Sequence, residues 1–229
     1  MSQFRGVIFD FNGVLLWDEA LQLQSWHRMA MQLREKPLGA DEAAVHMHGR
    51  TNSHVLSYLA GREIQGDELS TLTQAKESIY RRLCLEHPDT FKHSPGAVSL
   101  LDNLAENGVP RTIATASEKT NLDFFVAHLG LATWFQLDKI VYDDAVRPGK
   151  PHPATYLAAA KNLGLSPAEC IVVEDAVSGV QSAAAAGIGY IVGLDPTCGA
   201  PERLMEEGAS TIVQSLRDFP LESIVWPYL

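Results

Sequence analysis

An α/β chain built on one parallel sheet, with helices on both faces and a helical domain inserted after the first strand, is what this sequence predicts. Three observations carry the prediction. From residue 95 onward, short β-branched runs alternate with helical segments of about ten residues, the pattern of strand–helix–strand units in a parallel sheet. A matching strand-like run stands alone at the N-terminus, and the stretch between has helical spacing and few β-branched residues. No apolar run approaches the ~18 residues that span a bilayer.

In chain order, residues 4–9 close on Gly6-Val7-Ile8-Phe9, a strand that ends abruptly at Asp10. Residues 17–87 carry helical spacing at Leu21, Trp26, Met29, Ala30 and Leu33, at Val55, Leu56 and Leu59, and at Leu69, Leu72, Ile79 and Leu83. Gly39 and Gly66 punctuate these helices, and His87-Pro88-Asp89 ends them. The domains are therefore expected as 1–16 with 88–229, and 17–87 inserted between them. Helix 98–104 stops at Asn107-Gly108 and precedes strand 109–115. Helix 122–129 then leads to Ile140-Val141-Tyr142, helix 154–163 to Ile171-Val172-Val173, helix 177–186 to Tyr190-Ile191-Val192, and helix 202–207 to Thr211-Ile212-Val213. Gly179, Ala183 and Gly187 recur every four residues, so one small-residue helix face is expected to lie close to the sheet.

At 229 residues the chain is long enough to bury a real core, and 46% hydrophobic with 20% charged residues excludes a disordered or low-complexity class. A net charge of −10 argues against nucleic acid or an anionic membrane as the partner. It leaves open an anionic small molecule, because local cations reverse the sign inside a pocket. The three cysteines, Cys84, Cys170 and Cys198, lack metal-ligand spacing and form no disulfide framework. With no basic region followed by an apolar stretch at the N-terminus, a reducing cytoplasm is the expected compartment. Oligomeric state has no signature in the sequence. His46 and His48 lie two apart, so on a helix they point in different directions and make a poor metal pair. Trp134-Phe135 and Trp226 read as core or interface aromatics.

Ligands of open parallel sheets bind beyond the carboxyl ends of the strands. Those positions hold Asp10 after the first strand, Thr115 and Ser117 after the second, and Glu174-Asp175 after Ile171-Val172-Val173. Lys150 follows the Ile140 strand in Arg147-Pro148-Gly149-Lys150-Pro151. Taken singly, each has a bland role: a turn aspartate, a helix-capping threonine, a solvated lysine, acidic residues complementing a helix dipole. Their joint placement in register with the sheet outweighs those readings. Clustered carboxylates repel unless a hard cation joins them, and Mg²⁺ takes such oxygens together with phosphate oxygens. A lysine and a hydroxyl can hold the anion, and Asp10 can attack it, which describes phosphoryl transfer.

The same residues resemble the haloacid dehalogenase-like hydrolase superfamily, in the capped branch that includes β-phosphoglucomutase-like and phosphoglycolate-phosphatase-like members. The resemblance runs through Phe9-Asp10-Phe11-Asn12-Gly13-Val14-Leu15, Thr112-Ile113-Ala114-Thr115-Ala116-Ser117, Gly149-Lys150-Pro151-His152-Pro153 and Ile171-Val172-Val173-Glu174-Asp175, in order along nearly the whole chain. It implies a Rossmann-like core with a helical cap domain and a small phosphorylated metabolite as substrate. It also implies Asp10 as the residue that becomes aspartyl-phosphate. Mg²⁺ would be held by Asp10, the backbone carbonyl of Asn12 and Asp175, with Glu174 in support. Thr115, the N–H of Ala116 and Lys150 would cradle the phosphoryl oxygens, with Ser117 beside them. In the cap, Arg50 of Gly49-Arg50-Thr51 is the implied contact to a second anion or a sugar hydroxyl, and Asp18 sits where a substrate-facing Ser/Thr is usual.

Position 12 departs from the family pattern. Phosphatases of the family carry there a second aspartate that protonates the leaving oxygen, and Asn12 has no proton to transfer near neutral pH. The leading reading is a phosphatase that relies on another donor or on good leaving groups. A catalytically impaired phospho-ligand binder is the alternative from another class. Carbon-centred hydrolysis ranks lower: dehalogenases of the superfamily need no metal, yet Glu174-Asp175 is kept. A phosphonatase needs a cap lysine, and neither Lys36 nor Lys76 has a suitable setting. Gln22, where mutases carry histidine, weakens a phosphomutase assignment, and Trp17 replaces an aspartate common among relatives.

Overall fold

A computed structural model describes residues 4–39, 42–43, 46, 51–199 and 201–226. The chain divides into two compact units, Met1–Trp17 with Lys92–Leu229, and Asp18–Phe91. The second unit contains α1 (Glu19–Arg34), α2 (Asn52–Ala60) and α3 (Gly66–Glu86). The first contains α4 (Ala97–Glu106), α5 (Lys119–Leu129), α6 (Ala154–Leu163), α7 (Val177–Ala185) and α8 (Pro201–Glu206) around the sheet. No helix among the described residues is long and apolar enough to cross a membrane.

The sheet has strands β1 (Gly6–Phe9), β2 (Arg111–Glu118), β3 (Val141–Asp143), β4 (Cys170–Glu174), β5 (Tyr190–Leu194) and β6 (Thr211–Val213). Its order is β3-β2-β1-β4-β5-β6 and every pairing is parallel. The chain winds one way from β1 to β3 and the other way from β4 to β6. Right-handed crossovers therefore place the connecting helices on opposite faces, and the winding reverses between β1 and β4. β1 and β4 are buried along their whole length, which explains why both read as unbroken apolar runs rather than alternating ones. On one face Ile8, Val172, Ala114 and Ile191 pack with Tyr156, Ala160, Val180 and Ala183. Elsewhere in the core Phe11 stacks against Phe125 at 4.5 Å between ring centroids, and Phe9 meets Phe135 edge-on. Trp134 stays at the margin, donating Nε1–H to Asp102 at 2.6 Å.

The chain leaves β1 through a tight turn in which Leu15 and Leu16 both donate to the Phe11 carbonyl. It returns alongside: Ser94 N–H donates to Leu15 O at 2.9 Å, Ser94 Oγ to Val14 O at 2.6 Å, and Leu16 pairs antiparallel with His93. Both ends of the insertion are thus hydrogen-bonded to each other inside the first unit.

In the second unit Leu21, Trp26, Met29, Ala30, Val55, Leu56, Leu59, Ile79 and Leu83 are buried as their spacing predicts. Leu69 and Leu72 are only half-buried, whereas Thr73, Lys76, Glu77 and Tyr80 on α3 are enclosed. A polar network explains this inversion. Lys76 Nζ reaches Glu77 Oε1 at 3.0 Å and Gln22 Oε1 at 2.7 Å, and lies 4.9 Å from the centre of the Trp26 ring. Asn52 donates to Glu77 at 3.0 Å, while Tyr80 Oη donates to Asp18 at 2.5 Å. Removing one ion of a buried pair strands the other. Lys76→Met is accordingly expected to cost about 3 kcal/mol in urea unfolding, and Lys76→Met with Glu77→Leu to recover most of it.

Candidate active site

β1 and β4 run in register with Phe9 opposite Val173, and β1 and β2 with Phe9 opposite Ile113. One step further along each strand sets Asp10 level with Glu174 and Ala114. The Asp10 N–H donates to Val173 O at 3.0 Å, which carries the pairing past the strand end. The sequence order of the strands therefore brings Asp10, Glu174 and Asp175 to the reversal point of the sheet, where open α/β sheets bind ligands.

Lys150 arrives from the loop after β3, with a cis peptide to Pro151. Its Nζ donates to Asp10 Oδ1 and Glu174 Oε1, both at 2.5 Å, and to Ala114 O at 3.2 Å. Burial disfavours the ammonium, yet the adjacent Asp10 and Glu174 carboxylates hold its pKa above the usual lysine value. Glu174 has no spare capacity. Oε1 accepts from Lys150 and from Tyr156 Oη at 2.6 Å, and Oε2 accepts the N–H groups of Asp175 and Ala176, each at 3.0 Å.

Asp10 and Asp175 have fewer such commitments. Burial first, then the Glu174 charge, raises Asp10 from 3.8 to about 7 despite the opposing pull of Lys150. Burial and the Glu174 and Asp10 charges push Asp175 well above the ordinary aspartate value. Ligand oxygens of Asp10, Glu174 and Asp175 all lie within 4.8 Å of one another. Among the described residues, three carboxylates face a single ammonium, so the cluster is short of positive charge, and its ligand atoms are all oxygen. That chemistry fits a hard divalent cation. With Glu174 fully hydrogen-bonded, Asp10 and Asp175 are the carboxylates able to offer it oxygens.

Two glycines make room for these groups. Gly13 has φ +87°, and a Cβ there would overlap the Asp175 carboxylate. At Gly179 a Cβ would run into the carboxylate of Glu174. The small-residue stripe of α7 meets the sheet as expected at Gly179, against the side chain of the last residue of β4, and at Ala183. Gly187 departs from the expectation: with φ +73° and nothing within 4 Å of its position for a Cβ, it serves the turn after the helix. Helix propensity alone would make Gly179→Ala stabilising by about 1 kcal/mol. The overlap is expected to reverse the sign, costing about 1–3 kcal/mol in thermal or urea unfolding.

The phosphate-side residues come from β2, which continues to Glu118 rather than ending at Thr115. Its pairing with β3 is irregular between Ala114 and Glu118, so Thr115, Ala116 and Ser117 depart from the regular ladder just where the site begins. Thr115 is buried and its Oγ1 accepts the Ser117 N–H at 3.0 Å, while Ala116 is exposed. Ser117 Oγ donates to Asn12 Oδ1 at 2.8 Å, which fixes the orientation of that amide.

Asp10, Lys150, Glu174 and Asp175 therefore converge, with Asn12 linked to Ser117 and Ser117 to Thr115. Asp18 lies in the second unit, bonded to Tyr80 and Gln22. Arg50 and His48 fall outside the described residues. Sequence reasoning missed Tyr156, whose hydroxyl anchors Glu174 and whose ring centre lies 4.9 Å from Lys150 Nζ. The available signal was a tyrosine one turn into the helix that follows the lysine loop.

Comparison with known proteins agrees with this arrangement. A family model described as "Hydrolase: haloacid dehalogenase-like hydrolase" matches residues 4–187. Hexitol phosphatase A of Escherichia coli (strain K12) is 30% identical over 188 residues, covering 80% of each chain. A phosphorylated carbohydrates phosphatase of Thermotoga maritima is 27% identical, covering 92% of this chain and 94% of its own. Among solved structures, a HAD hydrolase of family IA, variant 3, from Entamoeba histolytica superposes with a TM-score of 0.89 at 34% identity, covering 97% of both chains. A HAD family hydrolase from Deinococcus radiodurans, solved with bound phosphate and sodium, gives 0.72 at 28% identity, covering 95% of this chain and 93% of its own.

Proposed function

Because the chain belongs to the haloacid dehalogenase-like hydrolases, we propose that it is a Mg²⁺-dependent phosphatase of a small phosphorylated metabolite, acting through an aspartyl-phosphate on Asp10. One observation carries the reading: a buried aspartate at the β1–β4 junction, bonded to a half-buried lysine and clustered with two further acids. The sugar-phosphate phosphatases among its relatives and the phosphate bound in the Deinococcus protein support phosphoryl chemistry.

The residues divide the work. Asp10 attacks phosphorus. Lys150 keeps the Asp10 carboxylate aimed and sets its positive charge beside the phosphoryl oxygens, with the Thr115 hydroxyl and the Ala116 N–H as the donors to them. Asp10, Asp175 and the Asn12 backbone carbonyl would hold Mg²⁺, which would supply charge neutralisation at the phosphoryl oxygens. Glu174 positions Lys150 rather than contacting substrate, and Tyr156 positions Glu174. Tyr156→Phe is expected to weaken Mg²⁺ binding roughly tenfold by calorimetry, the usual effect of losing a group that orients a ligand shell. Arg50 and Asp18 of the second unit remain the proposed substrate contacts, and the cytoplasm the proposed compartment.

A panel of phosphorylated metabolites, assayed with Mg²⁺ and with EDTA, tests the reading. Turnover of at least one class only with metal is expected, and metal-independent hydrolysis would contradict it. Asn12 favours a second reading, a phospho-ligand binder with impaired turnover. In that case metabolites would raise the melting temperature and be recovered unchanged.

A further inference from the structure

We propose that this site selects its substrate by leaving group, taking phosphoryl groups from acyl phosphates and retaining them on Asp10 as a long-lived aspartyl-phosphate. The inference rests on Asp10 being the nucleophile, as proposed above, and follows from where the protons around it already go.

An ammonium has three N–H bonds. Those of Lys150 have three acceptors within reach, Asp10, Glu174 and the Ala114 carbonyl. The Tyr156 hydroxyl donates to Glu174, and the Ser117 hydroxyl to Asn12 Oδ1. Among the described residues of the cluster Asp175 is the remaining acid, and in the proposed reaction it would hold the cation. Asn12, the residue that Ser117 orients, is an amide that neither gives nor takes a proton near neutral pH.

The two half-reactions differ in what they ask of this position. In the first, an Asp10 oxygen bonds to phosphorus and the bond from phosphorus to the leaving oxygen breaks, its electron pair departing with that oxygen. From an acyl phosphate the departing group is a carboxylate, stable as an anion, and no proton is needed. From an alkyl phosphate it is an alkoxide, which must be protonated as it leaves. In the second, water bonds to phosphorus, the bond between Asp10 and phosphorus breaks, and the water must lose a proton. A missing general acid–base slows such steps by about 10²–10⁴. Phosphorylation by acyl phosphates therefore escapes the deficiency, whereas hydrolysis of the aspartyl-phosphate does not.

The test treats the full chain with acetyl phosphate and Mg²⁺, quenches in acid and reads intact mass. Parent protein is expected to carry one phosphoryl group, removable by hydroxylamine and absent from Asp10→Asn. Asn12→Asp should lose that group about 10²-fold faster. In the first turnover, acetyl phosphate should also be consumed at least about 10²-fold faster than glycerol phosphate by the parent. Phosphate release at similar rates from both compounds, with no adduct on the parent, would overturn the inference while leaving the phosphatase reading intact. An adduct that survives Asp10→Asn would overturn the inference as well. Neither adduct nor phosphate release in both the parent and Asn12→Asp would remove the nucleophile reading itself, and the inference with it.

Discussion

An Asp10→Asn variant is expected to lose turnover by on the order of 10⁴-fold or more while becoming more stable in EDTA at pH 7.5. Loss of a covalent nucleophile removes the first bond-forming step, and such losses are among the largest that single substitutions produce. The gain in stability follows from linkage. Asp10 ordinarily titrates near 3.8, and in the folded protein near 7. Its folded-state pKa is raised, so the ionised form is disfavoured by folding. Stability is then fully present below pH ~4 and declines as the pH rises towards 7. An amide carries no such charge, and its oxygen still accepts from Lys150. The melting temperature of Asp10→Asn in EDTA should exceed that of the parent at pH 7.5, and the difference should close towards pH 4. A variant that melts lower than the parent at pH 7.5 would show that Asp10 contributes structurally to the fold.

The second large effect runs in the opposite direction. Asn12→Asp is expected to raise kcat for alkyl phosphates by about 10²- to 10³-fold, the lower part of the range of about 10²–10⁴ that a positioned general acid–base contributes. The geometry to receive it is present. Ser117 Oγ already donates to the side-chain oxygen at this position, at 2.8 Å, and an aspartate can accept the same bond. The change should fall on kcat rather than on KM, because it concerns a proton moved in the transition state. An unchanged rate would mean that another group supplies the proton and that the amide is incidental.

Much of this site was legible because it depends on strand order. Asp10, Glu174 and Asp175 each follow an apolar run, and a parallel sheet aligns the ends of such runs whatever lies between them in sequence. Lys150 was legible from its loop. What remained hidden were residues whose roles depend on packing geometry across many residues. Tyr156 lies within the expected helix 154–163 with nothing in the sequence to mark it, yet its hydroxyl is 2.6 Å from Glu174. Gly179 reads as a helix face approaching the sheet, which it is, but not as the position that clears space for the Glu174 carboxylate. The burial of Lys76 and Glu77 on α3 was hidden because it depends on partners from α1 and α2, Gln22 and Asn52, that periodicity cannot reveal. The bulge that lengthens β2 was equally invisible, because a local irregularity in pairing leaves no mark on composition.

The seam formed by Val14, Leu15 and Leu16 with His93 and Ser94 makes the insertion separable in principle. Since the two cut points already lie side by side, a short glycine–serine bridge from residue 17 to residue 92 would replace the intervening polypeptide without asking the sheet to rearrange. The same seam makes the inserted segment exchangeable: a foreign helical module could be grafted there while the acids and the lysine stay where the first unit holds them.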